Sequence, residues 1–147
     1  MEIKGDRVLK SPLDRVWAAL NDPGVLAKCT PGCQLLEPNG DSSYRVVMEL
    51  GVAGIKGRYE GEVKISDIVP NTSYKMTVTG EGLLGFIKGE GTVSLTPEDG
   101  NTRLTYGLYS QVGGKLAGVG QRVLGGIAKM MVGKFFSALE QSLQDAA

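Results

Sequence analysis

Six residues in the middle of the chain match a pattern that binds dinucleotides in other proteins. Gly80-Glu81-Gly82-Leu83-Leu84-Gly85 fits G-x-G-x-x-G and follows a predicted strand. Such a site needs a helix N-terminus directly after the glycines to receive a pyrophosphate. Residues 86–93 instead alternate like another strand, with Gly89 and Gly91 interrupting it. We therefore predict that these glycines allow bends and bulges in curved strands.

The two cysteines, Cys29 and Cys33, flank the short segment Thr30-Pro31-Gly32. A thiolate metal site would need further ligands, and since the sequence has no histidine these would be carboxylates or groups of another chain. Two cysteines are too few for a disulfide scaffold. We predict reduced thiols beside a tight turn, with a redox or metal role left open.

The composition argues against several classes of function. Without histidine the chain has no Ser-His-Asp or Cys-His pair and lacks the commonest general base. Sixteen basic residues balance sixteen acidic ones, so no net charge favours nucleic acid. We expect no cofactor and no nucleic-acid partner. The start of the chain lacks the apolar run of a signal peptide, and no stretch approaches ~20 apolar residues, so we expect a cytoplasmic protein.

The pattern of the first third predicts one strand and two short helices. The strand covers residues 3–9, and the helices start after Ser11-Pro12 and Asp22-Pro23, with Ser11 as the expected cap of the first. Both helices are short because Asn21 and the Thr30-Pro31-Gly32 segment end them.

The remainder of the chain predicts a sheet and one long helix. Residues 34–112 alternate between apolar and polar with turn signals between the runs, which is typical of antiparallel strands. Residues 115–145 have helical spacing over about 45 Å, long enough to cover the apolar face of a curved sheet. We predict one α+β domain over residues 1–147, in which a curved antiparallel sheet encloses a long C-terminal helix.

The predicted long helix contains an unusual number of glycines. Five glycines, at positions 118, 120, 125, 126 and 133, would each cost roughly 0.8–1 kcal/mol relative to alanine. Tight helix packing would explain them, and so would mobility or space for an apolar guest between helix and sheet. We favour a cavity. Its predicted lining is Tyr59, Met76, Tyr106, Leu116, Val119, Val123, Ile127 and Met130.

The same helix is locally basic in a neutral protein. No acidic residue occurs between Asp99 and Glu140, whereas Lys115, Arg122 and Lys129 recur every seven residues. We predict that these three face an anionic membrane surface or a protein partner. A homodimer on the glycine-bearing side of the helix, or burial of that side in the core, stays open.

Several short motifs, in order along the chain, are similar to one known family. They are Asp22-Pro23 with Leu26, Cys29-x-Pro31-Gly32-Cys33, Lys56-Gly57 with Gly61, Gly89-x-Gly91, and Val112-Gly113-Gly114-Lys115-Leu116-Ala117-x-x-Gly120. Together they resemble the carbon monoxide dehydrogenase G-subunit family, a branch of the START-like (SRPBCC) superfamily. That resemblance implies the helix-grip fold over nearly the whole chain.

The resemblance also implies a function. It implies a non-enzymatic accessory protein, separate from the molybdenum, iron-sulfur and flavin assembly, that helps bring carbon monoxide dehydrogenase or a related molybdenum hydroxylase to the inner face of the cytoplasmic membrane. The cavity would then hold a lipid or a quinone. A different class stays open: a small cyclase or hydrolase of the same superfold, using Glu81, Glu90 or Tyr106 inside the pocket.

Overall fold

A seven-stranded antiparallel sheet makes up most of the structure. The computed structural model describes residues 1–146. The strands are β1 (Glu2–Leu9), β2 (Cys33–Pro38), β3 (Ser43–Leu50), β4 (Gly57–Val69), β5 (Ser73–Gly82), β6 (Gly85–Glu98) and β7 (Asn101–Gly114). They pair in the order β1-β7-β6-β5-β4-β3-β2, each neighbour antiparallel. The predicted antiparallel sheet is confirmed.

Two short helices connect β1 to β2. They are α1 (Leu13–Leu20) and α2 (Pro23–Cys29). The Asp22 carboxylate caps α2 by accepting from the backbone N–H of Gly24 at 2.9 Å. The prediction that Ser11 caps α1 is wrong, because that helix begins at Leu13 and Ser11 makes no capping hydrogen bond. Within residues 1–146 the buried Ser11 hydroxyl has no hydrogen-bond partner.

The motif at residues 80–85 forms the β5–β6 hairpin. Gly82 pairs with Gly85, so Leu83 and Leu84 make a two-residue turn between two strands. The strand β6 follows the turn directly, which confirms the predicted strand after the glycines. On β4, Gly61 is required by close approach, since a Cβ there would lie 1.8 Å from the Thr79 carbonyl oxygen of β5.

The long C-terminal helix, α3 (Gln121–Asp145), has 25 residues and begins later than predicted. Residues Lys115–Val119 form a short 3-10 turn instead. The two segments are separated by Gly120, whose φ of 94° lies outside the helical range and interrupts the predicted helix. Of the five glycines expected inside the helix, only those at 125, 126 and 133 are there.

The apolar core lies between the concave face of the sheet and the helices. Its main cluster joins α1 and the sheet to Phe136, Leu139 and Leu143 of α3. Arg7 of β1 adds a bidentate ion pair to Glu140 of α3, with an N–O distance of 3.0 Å. A second, smaller cluster closes the other end of the fold, and its buried members are Ile55, Leu116 and Leu124.

Candidate functional site

Two apolar chambers lie between the concave face of the sheet and α3. One, of about 390 Å³, lies beneath the loop at residues 51–56, the 3-10 turn and the start of α3, and we call it the loop-side chamber. The other, of about 340 Å³, lies beside α1 and α2, and we call it the helix-side chamber. Each volume is within the ~300–1,000 Å³ range of small-molecule sites.

The two chambers are adjacent. Four residues line both of them: Thr30, Leu36, Val63 and Met131. Val63 comes from the middle of β4 and Met131 from the facing side of α3, so they form a waist between sheet and helix.

The loop-side chamber contains three of the predicted ligand-binding residues. Tyr59 lies on β4, Leu116 in the 3-10 turn and Ile127 on α3, and all three line this chamber. The Tyr59 hydroxyl donates to the Ile55 carbonyl oxygen at 2.7 Å, so its hydrogen-bonding capacity as a donor is already used. Burial raises the pKa of Tyr59 above its ordinary value.

The helix-side chamber contains the other two predicted residues that face the cavity. Met76 of β5 and Tyr106 of β7 line it, and the Tyr106 ring packs 5.4 Å from that of Phe136 on α3. Two further tyrosines, Tyr44 and Tyr74, also line this chamber. Burial, with a smaller contribution from Tyr44, raises the pKa of Tyr74 to about 12.

The lining is almost free of charge. Among residues 1–146 that line the helix-side chamber, none is Asp, Glu, Lys or Arg. Of the described residues that line the loop-side chamber, one is acidic: Glu60, whose carboxylate forms ion pairs with Arg45 and Arg58 at 3.4 and 3.2 Å. The arrangement suits an uncharged apolar ligand, since a buried charge without a partner is costly.

Three predicted lining residues do not line either chamber. Val123 and Met130 are 50% and 40% exposed on the outer side of α3, so their prediction as inward-facing residues is wrong. Val119 packs instead against the cluster of Ile55, Leu116 and Leu124. The prediction assumed one continuous helix from residue 115. Since α3 begins only at Gln121, the residues that face inward lie about one position further along the sequence than predicted.

The inward face of α3 includes residues that the sequence analysis did not assign. They are Leu124, Ala128 and Phe135, which line one or both chambers together with the predicted Met131. Their spacing of four, three and four residues is the usual signal of a helix face and was available in the sequence. The glycines at 126 and 133 lie off this face, and a Cβ at either would meet no atom within 4 Å.

The two glutamates proposed for catalysis point away from the cavity. Glu81 on β5 and Glu90 on β6 are exposed and line neither chamber. Alternate residues of a strand lie on opposite faces, so these carboxylates belong to the convex side. Their predicted place inside the pocket is therefore wrong, whereas Tyr106 does lie inside.

The three predicted basic residues are all exposed, but they do not share one helix. Lys115 lies in the 3-10 turn, whereas Arg122 and Lys129 lie on α3. Among the ion pairs between residues 1–146, none involves these three side chains. On α3, Arg122 and Lys129 are each followed by one of the exposed apolar residues, Val123 and Met130.

The two cysteines lie at the end of α2 and the start of β2. Cys29 is buried and Cys33 partly buried, and both are free thiols. Burial raises the pKa of each thiol above its ordinary value. Residues 1–146 contain no cluster of three or more potential metal-ligating side chains, and no helix there is long and apolar enough to cross a bilayer.

Proteins of known structure share this architecture. A conserved protein from Geobacillus kaustophilus is 39% identical, with 99% of this chain and 97% of that chain covered and a TM-score of 0.96. A protein from Chromobacterium violaceum is 18% identical over 97% of this chain and 96% of that one, with a TM-score of 0.76. Ara h 8.0201 is also 18% identical, over 99% and 98%, with a TM-score of 0.71. The last two show the fold alone, which is the helix-grip fold.

The sequence matches one family over nearly its whole length. A search among curated proteins found no match. The sequence model described as the G subunit of carbon monoxide dehydrogenase (CoxG) matches residues 5–144. This match confirms the resemblance carried by the short motifs, and the chain belongs to the carbon monoxide dehydrogenase CoxG family.

Proposed function

We propose that this protein is a non-enzymatic accessory protein that holds an apolar ligand, a lipid or a quinone, between its sheet and α3. The observation that carries the proposal is the pair of adjacent, nearly uncharged chambers. Apolar space of this size between a sheet and a helix would normally be filled by side chains, because protein interiors pack to the density of organic crystals. An apolar guest would restore that packing.

Identification of what co-purifies tests the ligand. The protein is purified without detergent, extracted with organic solvent, and the extract is analysed by mass spectrometry. We expect a stoichiometric lipid or quinone. A protein that binds no apolar molecule, either on purification or when vesicles and quinones are supplied, would overturn the proposal.

A pair of tryptophan variants on α3 locates the ligand. Ala128 lines the loop-side chamber and is partly buried, so Ala128→Trp places an indole where the ligand would lie. Val123→Trp adds the same group on the exposed side of the same helix. We expect Ala128→Trp to lose the co-purifying molecule and Val123→Trp to keep it. Equal retention by both variants would place the ligand elsewhere.

We further propose that the outer side of α3 meets the membrane or the partner enzyme. Val123 and Met130 are exposed there beside Arg122 and Lys129, so apolar and basic groups share one surface, as in helices that bind membrane interfaces. Each basic residue near an anionic surface contributes about 1 kcal/mol. By the family's name, the partner would be carbon monoxide dehydrogenase or a related molybdenum hydroxylase, at the cytoplasmic face of the membrane.

Charge reversal tests this surface. Arg122→Glu with Lys129→Glu is compared with Lys10→Glu and Lys28→Glu, two exposed residues that give the same change in net charge. We expect the first pair to lose flotation with phosphatidylglycerol vesicles and capture of the dehydrogenase, and addition of Lys115→Glu to weaken both further. If the first pair binds like the control pair, the basic residues are only a solvated surface.

A further inference from the structure

Three connections meet at the end of the fold that closes the loop-side chamber. They are the loop at residues 51–56, the β5–β6 turn and the 3-10 turn, and we call this region the loop end. The Leu116 N–H donates to the Leu84 carbonyl oxygen at 2.8 Å, which joins the 3-10 turn to the β5–β6 turn. Ile55 and Leu116 are buried and line the chamber, so a molecule bound there would lie against residues of the loop end.

An apolar side chain stands at the tip of the loop end. Leu83, the first residue of the β5–β6 turn, is fully exposed, and Phe86, just after the turn, is 43% exposed. The leucine side chain therefore adds nothing to the apolar core. A two-residue turn is ordinarily served by small or polar residues, so the fold itself gives no reason for leucine at this position.

The two ends of the sheet carry opposite charge. Lys56 and Lys115 belong to the connections of the loop end, and residues 50–59, 82–89 and 111–124 contain no acidic residue. The three hairpin turns at the opposite end, residues 39–42, 70–72 and 99–100, contain Asp41 and Asp99 and no basic residue. An anionic surface would therefore orient this neutral protein with the loop end toward it.

A surface groove of about 550 Å³ brings the apolar and basic groups together. Lys56 and Leu83 both line it. Its two acidic residues, Glu60 and Glu81, pair across β4 and β5 further from the tip. Among the ion pairs between residues 1–146, none involves Lys56 or Lys115. The loop end thus offers an exposed leucine beside two cations that no carboxylate neutralises in the described part of the chain.

We propose that the loop end is a docking surface for an anionic lipid bilayer, with Leu83 among the acyl chains and Lys56 and Lys115 against lipid phosphates. A bilayer interface presents apolar and anionic groups side by side, which matches this surface. The inference rests on the proposed function, which already places a membrane or enzyme contact on the outer side of α3. It adds a second contact, and this contact brings the loop-side chamber to the lipid.

A matched pair of aspartate variants tests the docking surface. Leu83→Asp places a charge at the tip of the loop end, and Val69→Asp does so at the opposite end of β4, where Val69 is 50% exposed. Binding is measured by flotation with vesicles of equal parts phosphatidylglycerol and phosphatidylcholine. We expect Leu83→Asp to bind at least tenfold more weakly than the wild type, as for the loss of one inserted leucine, and Val69→Asp to bind like the wild type.

The two lysines are tested in the same assay. Lys56→Glu with Lys115→Glu is compared with the control pair Lys10→Glu and Lys28→Glu, which changes the net charge equally. We expect the first pair to bind the vesicles at least tenfold more weakly than the control pair. On vesicles of phosphatidylcholine alone, the two pairs should bind alike.

Tryptophan insertion reports the orientation without depending on a loss of binding. Leu83→Trp and Val69→Trp are mixed with anionic vesicles that contain brominated lipid, and wild type, whose single tryptophan is Trp17, gives the background. We expect bromine to quench the added tryptophan at position 83 and to leave the one at position 69 unquenched. Equal quenching of the two variants would overturn the inference.

The outcomes separate this inference from the proposed function. Equal flotation of wild type and Leu83→Asp would overturn the docking surface and leave the outer side of α3 as the membrane contact. Unchanged flotation with lost capture of the dehydrogenase would also overturn it, because the loop end would then bind a protein. The uncharged apolar dye N-phenylnaphthylamine should bind wild type and Leu83→Asp equally from solution, and a wild type that binds no dye would contradict the proposed ligand cavity itself.

Discussion

Two glycines on the outer side of α3 should be replaceable by alanine with a gain in stability. Gly126 and Gly133 lie inside the helix with ordinary negative φ, and a Cβ at either position would meet no atom within 4 Å. Glycine in a helix interior costs about 0.8–1.0 kcal/mol relative to alanine. Since nothing opposes the new methyl group, the full difference should appear in the free energy of unfolding.

The double variant should combine both gains. The two positions are seven residues apart, about 10 Å along the axis, and share no contact, so their effects should add to about 2 kcal/mol. For a chain of this size about 1 kcal/mol raises Tm by roughly 2–4 °C, so Gly126→Ala with Gly133→Ala should raise it by about 4–8 °C. Calorimetry and urea titration, with an unchanged m value, measure the gain.

Gly120 provides the control. A Cβ at this position also meets no atom within 4 Å, yet its φ is 94°. Available space is therefore the same, and only the backbone conformation differs, so Gly120→Ala should destabilise by about 1–3 kcal/mol. If Gly126→Ala and Gly133→Ala also destabilise the protein, their side of α3 is covered in solution, for example by a second copy, and our account of a free surface is wrong.

Two further predictions follow from the pKa shifts. Since burial raises the pKa of Tyr74 from 10.0 to about 12, the folded state holds this proton more tightly; the resulting stability, about 2–3 kcal/mol, is fully present below pH 10 and is lost as the pH rises to 12. Tyr74→Phe should flatten that part of the alkaline unfolding curve, and an unchanged curve would contradict the burial of the phenol. Because burial also raises the pKa of Cys29, its alkylation by iodoacetamide at neutral pH should be much slower in the folded protein than in urea, and equal rates would show an accessible thiolate.

The sheet and its partner helix could be predicted from sequence because their signals are local. Alternation along β3, β4 and β7 assigns one face of each strand to the interior, and Asp22-Pro23 marks the start of α2. The start of α3 could not be predicted in this way. Apolar spacing continues through Leu116 and Val119, and a glycine at position 120 is compatible with a helix until its positive φ is known.

That displaced start explains the errors at the candidate site. Each helical residue turns the chain by about 100°, so a helix face placed one residue too early includes Val123 and Met130, whereas Leu124 and Met131 lie on the inward face; of the latter two, Met131 was predicted and Leu124 was not. The structure puts the first pair outside and the second pair against the cavity. Strand residues such as Tyr59 and Met76 are not subject to this kind of error. Side chains of a strand alternate between two faces, so the apolar pattern assigns each one to the inside or the outside.

The high glycine content has two separate physical consequences in this fold. In the sheet, the cross-strand pair Gly61 and Gly80 faces the loop-side chamber, so the strands present no side chains there and the space below α3 stays open. In α3, glycines lower the helix stability of the half that covers this space. Within residues 121–133 of that half, Leu124 is the one buried residue, whereas three buried apolar side chains hold the other half. Because the space below this half of α3 is not filled by side chains, this half gains little stability from packing against the sheet. A bound apolar ligand should therefore raise the stability of the whole domain by mass action, and most directly through the half of α3 that otherwise packs against little.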